Sequence, residues 1–136
     1  MIVLSKESIT IAKEQDVVFF RNRVKELATK ISMGLVNQTK LITAASELVR
    51  NMLKYANGGK VLLQLISENN QSGVKLTFED KGPGISDIKQ AMQDGFSTGK
   101  SLGVGLPGAK RLVSEFEIKS TPGKGTTVTI IKWKNG

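Results

Sequence analysis

The stretch of sequence that decides the fold begins at Asp80-Lys-Gly-Pro-Gly84 and ends at Leu102-Gly-Val-Gly-Leu-Pro-Gly108. The alternating run Val74-Lys-Leu-Thr-Phe78 ahead of it predicts a strand, which the glycines and proline of residues 82–84 must end. Asp80 is therefore predicted to lie at a strand end, beside a turn. A carboxylate there can accept hydrogen bonds from the polar edge of a flat ligand, and the glycines allow close approach to the backbone.

A second glycine-rich segment, Gly99-Lys-Ser-Leu-Gly103-Val-Gly105, precedes a helical pattern over residues 109–116. Glycines at a helix entrance leave backbone N–H groups unpaired and directed at one place, which favours an anion such as phosphate. A Walker A loop does not fit, because it needs four residues between its glycines and Gly95 and Gly99 enclose three. The Rossmann fingerprint does not fit either, because no strand precedes Gly103.

Length and composition limit the class of protein. The 136 residues, 39% of them hydrophobic, predict a single domain, 1–136, around one core. The chain has no cysteine or histidine, so a metal would need oxygen ligands, as Mg²⁺ has with phosphates. The net charge of +8 is spread without a dense basic block, and we expect no nucleic-acid partner. No apolar run approaches 18 residues, and the N-terminus lacks a basic region before its short apolar segment, so we expect a cytoplasmic protein without a signal peptide or a membrane partner.

Two amphipathic helices are predicted in the first half of the chain. Asp16 is expected to cap the first helix and Gly34 to end it, and the second is expected from about Asn37 to Tyr55. Glu47 and Asn51 lie four residues apart on the second helix and therefore project from one face. Such a pair is usually solvated, but Asn51 lies beside the apolar stripe, where a half-buried amide needs a partner.

The remaining segments alternate with a period of two. Residues 2–11 predict one or two short strands, residues 60–66 and 74–80 a hairpin, and residues 117–120 and 126–133 a second hairpin. This order predicts an α+β fold, a two-layer sandwich with helices on one face of a mostly antiparallel sheet.

Four separated segments resemble the conserved boxes of the GHKL superfamily, whose Bergerat ATP-binding fold is shared by gyrase, the HSP90 chaperone, histidine kinases and MutL. The segments are Glu47-Leu-Val-Arg-Asn51, Asp80-Lys-Gly-Pro-Gly84, Gly103-Val-Gly-Leu106 and Gly123-Lys-Gly-Thr126, in the family order. Small size and the runs at residues 94–98 and 103–112 are most similar to the RsbT-type switch kinases, a group of anti-sigma-factor kinases. The resemblance implies a GHKL ATP-binding kinase domain over nearly the whole chain.

The resemblance also implies roles for the residues that bind nucleotide. Asp80 would read the adenine amino group, Thr126 would support it through water, and Gly82 and Gly84 would flank the base. The backbone amides of the second glycine box would hold the phosphates, and a lid over residues 95–105 would order around Mg-ATP. The residues that the resemblance implies would contact the phosphates are Lys100, Gly103 and Gly105.

The remaining implied roles are chemical. Asn51 would bind Mg²⁺, and Glu47 would polarise the attacking hydroxyl. The implied function is an ATP- and Mg²⁺-dependent serine/threonine-protein kinase that phosphorylates STAS-domain scaffold or antagonist proteins in stressosome partner switching. Once released, it would bind and activate a PP2C-type phosphatase.

Two alternatives belong to other functional classes. One is a nucleotide-dependent anti-sigma factor or regulatory module that acts by association. The other is the ATP-binding part of a histidine kinase, which is disfavoured because the chain carries no histidine to autophosphorylate.

Overall fold

A computed structural model describes residues 1–82 and 105–136, which form three helices and one five-stranded sheet. The sheet is antiparallel throughout, in the strand order β1-β2-β3-β5-β4. Both predicted hairpins are present, as β2–β3 and β4–β5. The elements in chain order are β1 (Ile2–Ile11), α1 (Glu14–Lys30), α2 (Leu35–Ala56), β2 (Gly59–Glu68), β3 (Gln71–Asp80), α3 (Gly105–Leu112), β4 (Glu115–Thr121) and β5 (Gly125–Trp133).

One face of the sheet carries the core. Directly paired residues on β2 and β3, such as Leu63 with Leu76, are buried there, while their neighbours along each strand point to the other face. The apolar stripes of α1 and α2 pack onto this face, and Phe20 of α1 meets Phe78 of β3 edge to face with ring centroids 5.8 Å apart. The predicted α+β sandwich is therefore confirmed.

Three helix boundaries differ from those predicted. Asp16 is not the N-cap, because α1 begins at Glu14 and Asp16 lies in its first turn. Gly34 does not end α1; it is the N-cap residue of α2, which begins at Leu35. The helical pattern over residues 109–116 also extends too far, since α3 ends at Leu112 and Phe116 belongs to β4.

The end of α1 shows why a glycine is not needed there. Ser32 adopts a left-handed conformation with φ of 61°, so that its N–H donates to the Thr29 carbonyl and the Met33 N–H donates to the Ala28 carbonyl. These two hydrogen bonds form a Schellman motif, which satisfies the last carbonyl groups of a helix. The left-handed residue that ends α1 is therefore Ser32 and not, as predicted, Gly34.

Residues 2–11 form one strand, which carries a register shift between Val3 and Ser5.

Within residues 1–82 and 105–136, none of the helices combines the length and hydropathy that a membrane span requires.

Candidate active site

Glu47 lies in the C-terminal half of α2 and is almost fully buried, with 2% of its surface exposed. Its Oε1 atom has no hydrogen-bond partner among the described residues. A buried carboxylate oxygen without a partner costs free energy, and a catalytic role is one of the recognised reasons why a native structure retains such an atom. The usual expectation of a solvated polar pair is therefore wrong for Glu47.

Asn51 follows Glu47 by one helical turn and is half-buried. Four residues of α-helix correspond to a rise of about 6 Å, so the amide and the carboxylate lie along one side of α2. Arg50 and Lys54 are exposed on the same stretch of helix. The described residues contain no cluster of three acidic side chains that could hold a metal ion by itself. An ion bound near Asn51 would need oxygen atoms from a ligand as well.

The turn after β3 packs directly against the end of α2. Asp80 is the last residue of β3, and its Oδ1 accepts a hydrogen bond of 2.9 Å from the Gly82 N–H. A Cβ added at Gly82 would lie 2.5 Å from the Cβ of Ala56, the last residue of α2. Only glycine allows the two segments to come this close, and the contact fixes Asp80 relative to α2.

Thr126 on β5 is paired directly with Asp80, which places both residues on the helix-covered side of the sheet. The hydroxyl oxygens of Thr126 and Ser120 are 2.8 Å apart and share a hydrogen bond. Gly125 has a φ of +104°, and a Cβ there would overlap the carbonyl oxygen of Asp80. Ser120 was missed by the sequence reasoning, although the predicted hairpin already places it opposite Thr126.

Gly105 is the first residue of α3, which packs against α2. The start of α3 is thus held by the same helix that carries Glu47 and Asn51. The other residues predicted to contact phosphate or the base, Gly84, Lys100 and Gly103, lie outside the described residues, as does the predicted lid apart from Gly105.

The described part of the site combines four features. It has a buried carboxylate and a half-buried amide on α2, a carboxylate at the end of β3, and the N-terminus of a helix, where the first N–H groups have no partner within the helix and favour an anion. A ligand with a flat polar ring at one end and a polyanion at the other matches this set. The groups are divided among α2, β3 and α3, which explains why no one motif in the sequence is decisive.

The sequence matches the family described as histidine kinase-, DNA gyrase B- and HSP90-like ATPases over residues 36–135. The chain belongs to this ATPase family. It is 42% identical to the serine/threonine-protein kinase RsbT of Bacillus subtilis (strain 168) over 125 residues, which cover 92% of this chain and 94% of that protein. It is also 34% identical to the anti-sigma F factor of Thermoanaerobacter sp. (strain X514), over 90% of this chain and 89% of that one.

Solved structures share the fold. The RsbU and RsbW domains of a Mycobacterium tuberculosis protein superpose with a TM-score of 0.64 at 22% identity, covering 94% of this chain and 31% of that one. The mycobacterial sensor histidine kinase MprB gives a TM-score of 0.56 at 18% identity, with 95% and 97% coverage. The sequence matches assign the chain to the GHKL superfamily and to its small partner-switching serine/threonine kinases, and the solved structures share the fold alone.

Proposed function

We propose that the chain is one ATP-binding kinase domain over residues 1–136, which phosphorylates serine or threonine of STAS-domain scaffold or antagonist proteins in the stressosome. After release, it would activate a PP2C-type phosphatase by binding it. The observation that carries the catalytic part is the buried Glu47 carboxylate, whose Oε1 has no partner among the described residues and which lies one turn from Asn51. The similarity to the kinase RsbT supports the same assignment.

The nucleotide is proposed to bind between α2, the end of β3 and the start of α3. Asp80 uses Oδ1 to hold the Gly82 N–H, and we assign its other oxygen to the adenine amino group, with Thr126 in support. Gly82 and Gly84 would lie against the base, while Gly103, Gly105 and Lys100 would hold the phosphates. Bound Mg-ATP supplies the phosphoryl group, and its Mg²⁺ would use the Asn51 amide oxygen as a ligand.

Glu47 is assigned the role of accepting the proton of the substrate hydroxyl. Its burial shields the carboxylate from water, and α2 fixes its direction along the helix. An Oε1 not used by a described neighbour can accept a hydrogen bond without first breaking one. The same proposal places the chain in the cytoplasm, where ATP is supplied.

The test is transfer of radiolabelled phosphate from Mg-ATP to a purified STAS-domain protein, compared for wild type, Glu47→Gln and Asn51→Ala. We expect Glu47→Gln to retain nucleotide binding and to lower the transfer rate by roughly 10²- to 10⁴-fold, the usual contribution of a general base. Asn51→Ala should lower both transfer and Mg²⁺-dependent nucleotide affinity. The matched control is Glu79→Gln, since Glu79 is an exposed carboxylate next to Asp80 on the opposite face of the sheet.

The second candidate function is nucleotide-gated association without phosphoryl transfer, and the similarity to anti-sigma F factors favours it. Wild-type protein that binds ATP, labels no STAS-domain protein and still binds a partner would replace the kinase proposal with this one. Transfer that survives Glu47→Gln unchanged would remove Glu47 from the catalytic role.

A further inference from the structure

Arg50 lies on α2 beside the two polar residues of the candidate active site, and its side chain is exposed. At 3.6 residues per turn, Asn51 is rotated by about 40° from Glu47 around the helix axis in one direction, and Arg50 by about 60° in the other. Asn51, unlike Arg50, is half-buried. Glu47 therefore separates a side of α2 that faces the protein from a side that faces solvent, and Arg50 lies on the solvent side.

The Arg50 guanidinium has no anionic partner in the part of the chain that the structure describes. No ion pair joins it to a carboxylate of residues 1–82 or 105–136. The positions three and four residues away, where a helix places side-chain partners, are Ser46, Glu47, Leu53 and Lys54. Glu47 is the acid in this set, and its Oε1 has no hydrogen-bond partner among the described residues. The guanidinium can therefore bind an anion from outside the chain.

Lys54 adds a second positive charge one turn further along α2. It is exposed, and its Nζ lies 5.5 Å from the centroid of the Tyr55 ring. Like charges four residues apart on a helix repel each other, so the pair of Arg50 and Lys54 weakens α2 until an anion binds beside it. The exposed side of α2 next to Glu47 is therefore suited to a negatively charged partner.

Two anions can approach Glu47 during phosphoryl transfer, namely the nucleotide phosphates and an acidic residue of the protein substrate. The proposed Mg-ATP contact on α2 is Asn51, on the side that faces the protein. The attacking and leaving oxygens lie roughly in line, on opposite sides of the transferred phosphorus. A substrate hydroxyl that meets Glu47 therefore arrives from the side away from the nucleotide, and the exposed side of α2 with Arg50 is open to it. The position of Arg50 favours contact with the substrate.

We propose that Arg50 determines substrate specificity by binding an aspartate or glutamate one or two residues from the serine or threonine that receives phosphate. The rise from Glu47 to Arg50 is about 4.5 Å, and consecutive Cα atoms of the substrate lie about 3.8 Å apart, so both contacts fit one short segment. An arginine can hold a carboxylate through two parallel hydrogen bonds, which orient the segment as well as attract it. The inference rests on the proposed kinase function and deepens it, because it names the chemistry that selects the substrate.

The test measures steady-state phosphate transfer from Mg-ATP to the purified STAS-domain protein, as kcat and KM for that protein and KM for ATP. For Arg50→Gln we expect the KM for the protein to rise about tenfold, with kcat and the KM for ATP at wild-type values, because the contact is made before and during transfer alike. Arg50→Glu should raise this KM further, since it repels the carboxylate, and Arg50→Lys should restore part of the loss. Thermal unfolding establishes that each variant is folded.

Changes in the substrate identify the partner of Arg50. Mass spectrometry locates the labelled serine or threonine, and each acidic residue within two positions of it is replaced by its amide. We expect one replacement to raise the KM about tenfold with wild-type enzyme and to add little with Arg50→Gln, since both changes remove the same contact. Replacing that acid with lysine should restore part of the transfer by Arg50→Glu.

The matched control is Lys6→Gln, which removes one exposed positive charge from β1. Lys6 pairs with Gln64, whose neighbours Leu63 and Leu65 point into the core, so Lys6 lies on the face of the sheet away from the helices. This variant should keep the wild-type KM for the protein substrate. An equal rise in KM for Lys6→Gln would mean that net charge attracts the substrate, which would overturn a specific role for Arg50.

Three further results would overturn the role of Arg50 and leave the kinase proposal standing. One is an unchanged KM for the protein in Arg50→Gln, and a fall in kcat or a higher KM for ATP beside it would assign Arg50 to the phosphates. Another is strict additivity of the enzyme and substrate changes, and the third is a substrate with no acid within two positions of the labelled residue. Wild-type protein that transfers no phosphate overturns the kinase proposal itself, and the role of Arg50 with it.

Discussion

Gly82 is a residue at which the absence of a side chain shapes the candidate active site. A Cβ at this position would lie 2.5 Å from Ala56 Cβ, 2.9 Å from Ala56 Cα and 3.2 Å from Asp80 Oδ1. Two of these atoms belong to the last residue of α2, which cannot move without shifting the helix. Glycine at this position therefore couples the end of β3 to the helix that carries Glu47.

We expect Gly82→Ala to lower the free energy of unfolding by roughly 1–3 kcal/mol, the usual cost of overpacking, and to weaken ATP binding. Urea unfolding and nucleotide titration would measure the two effects. The control is Gly34→Ala, because a Cβ at Gly34 meets nothing within 4 Å and the residue has a φ of −65°. The double variant with Ala56→Gly should recover part of the loss, and strict additivity in the double-mutant cycle would contradict the proposed contact.

The sequence predicted the chemistry of single residues better than their surroundings. Periodicity placed Glu47 and Asn51 on one face of a helix, and a strand followed by glycines placed Asp80 at a strand end. The burial of Glu47 could not be derived in the same way, because it depends on how other elements pack against α2 and not on the spacing of residues within the helix. The contact of Gly82 with Ala56 depends equally on how a helix and a hairpin pack together.

At the scale of elements, Asp16 shows how a helix start is stabilised from inside its first turn. Its Oδ2 accepts hydrogen bonds from the backbone N–H groups of Ala12, at 2.8 Å, and Lys13, at 3.1 Å. The acidic side chain also lies near the positive end of the α1 dipole. The sequence correctly indicated that Asp16 stabilises the helix start. The predicted capping position was wrong, because Asp16 lies in the first turn and is not the N-cap residue.

Asp16→Ala should lower the free energy of unfolding by about 1 kcal/mol, in the range found for loss of a helix cap. Asp16→Asn keeps an oxygen acceptor and should cost less. Chemical denaturation of both variants measures the difference, with Glu14→Gln as the control for charge alone in the same turn. Equal losses for Asp16→Ala and Asp16→Asn would mean that charge, and not the two hydrogen bonds, stabilises the helix start.

Element types were easier to predict than element ends, for reasons visible in this chain. The types follow from periods of 3.6 and 2 that persist over many residues. The ends depend on one or two residues, and here Ser32 takes a left-handed conformation more often found for glycine. At the end of α3, Val113 and Phe116 keep the three-residue spacing of a helix, but pairing of Phe116 with Ile130 of β5 decides for the strand.

At the scale of the whole molecule, α2 connects the features on which the proposals rest. Its N-terminal half lies beside α1, its middle is buried against the sheet, and its C-terminal half carries Glu47, Asn51 and the contact with Gly82. The strand order β1-β2-β3-β5-β4 could not be read from local patterns, because the pairing of β3 with β5 joins segments separated by residues 81–124. That pairing brings Thr126 to Asp80.

Lys132, near the C-terminal end of β5, is a buried titratable group that makes the stability of the protein depend on pH. Lys132 is buried with 3% of its surface exposed, and its Nζ donates to the Gly136 carbonyl at 2.9 Å. Burial lowers the pKa of Lys132, and the positive charge of Lys40 lowers it further. Between this lowered pKa and the ordinary lysine value, the unfolded chain binds more protons than the folded one, so the contribution of Lys132 to stability rises with pH.

We therefore expect the unfolding free energy of Lys132→Met to exceed that of wild type by the largest amount near neutral pH. This difference should shrink steadily as the pH approaches the ordinary lysine pKa. The reason is that charged Lys132 carries its full desolvation cost at neutral pH, and a methionine has no charge to desolvate. Urea unfolding at a series of pH values measures this difference, with Lys6→Met as the exposed control. Lys6→Met removes an exposed lysine and therefore no buried charge, so it gives the reference for the pH series. A Lys132→Met difference that, relative to this reference, does not change with pH would mean that Lys132 is solvated in the folded protein.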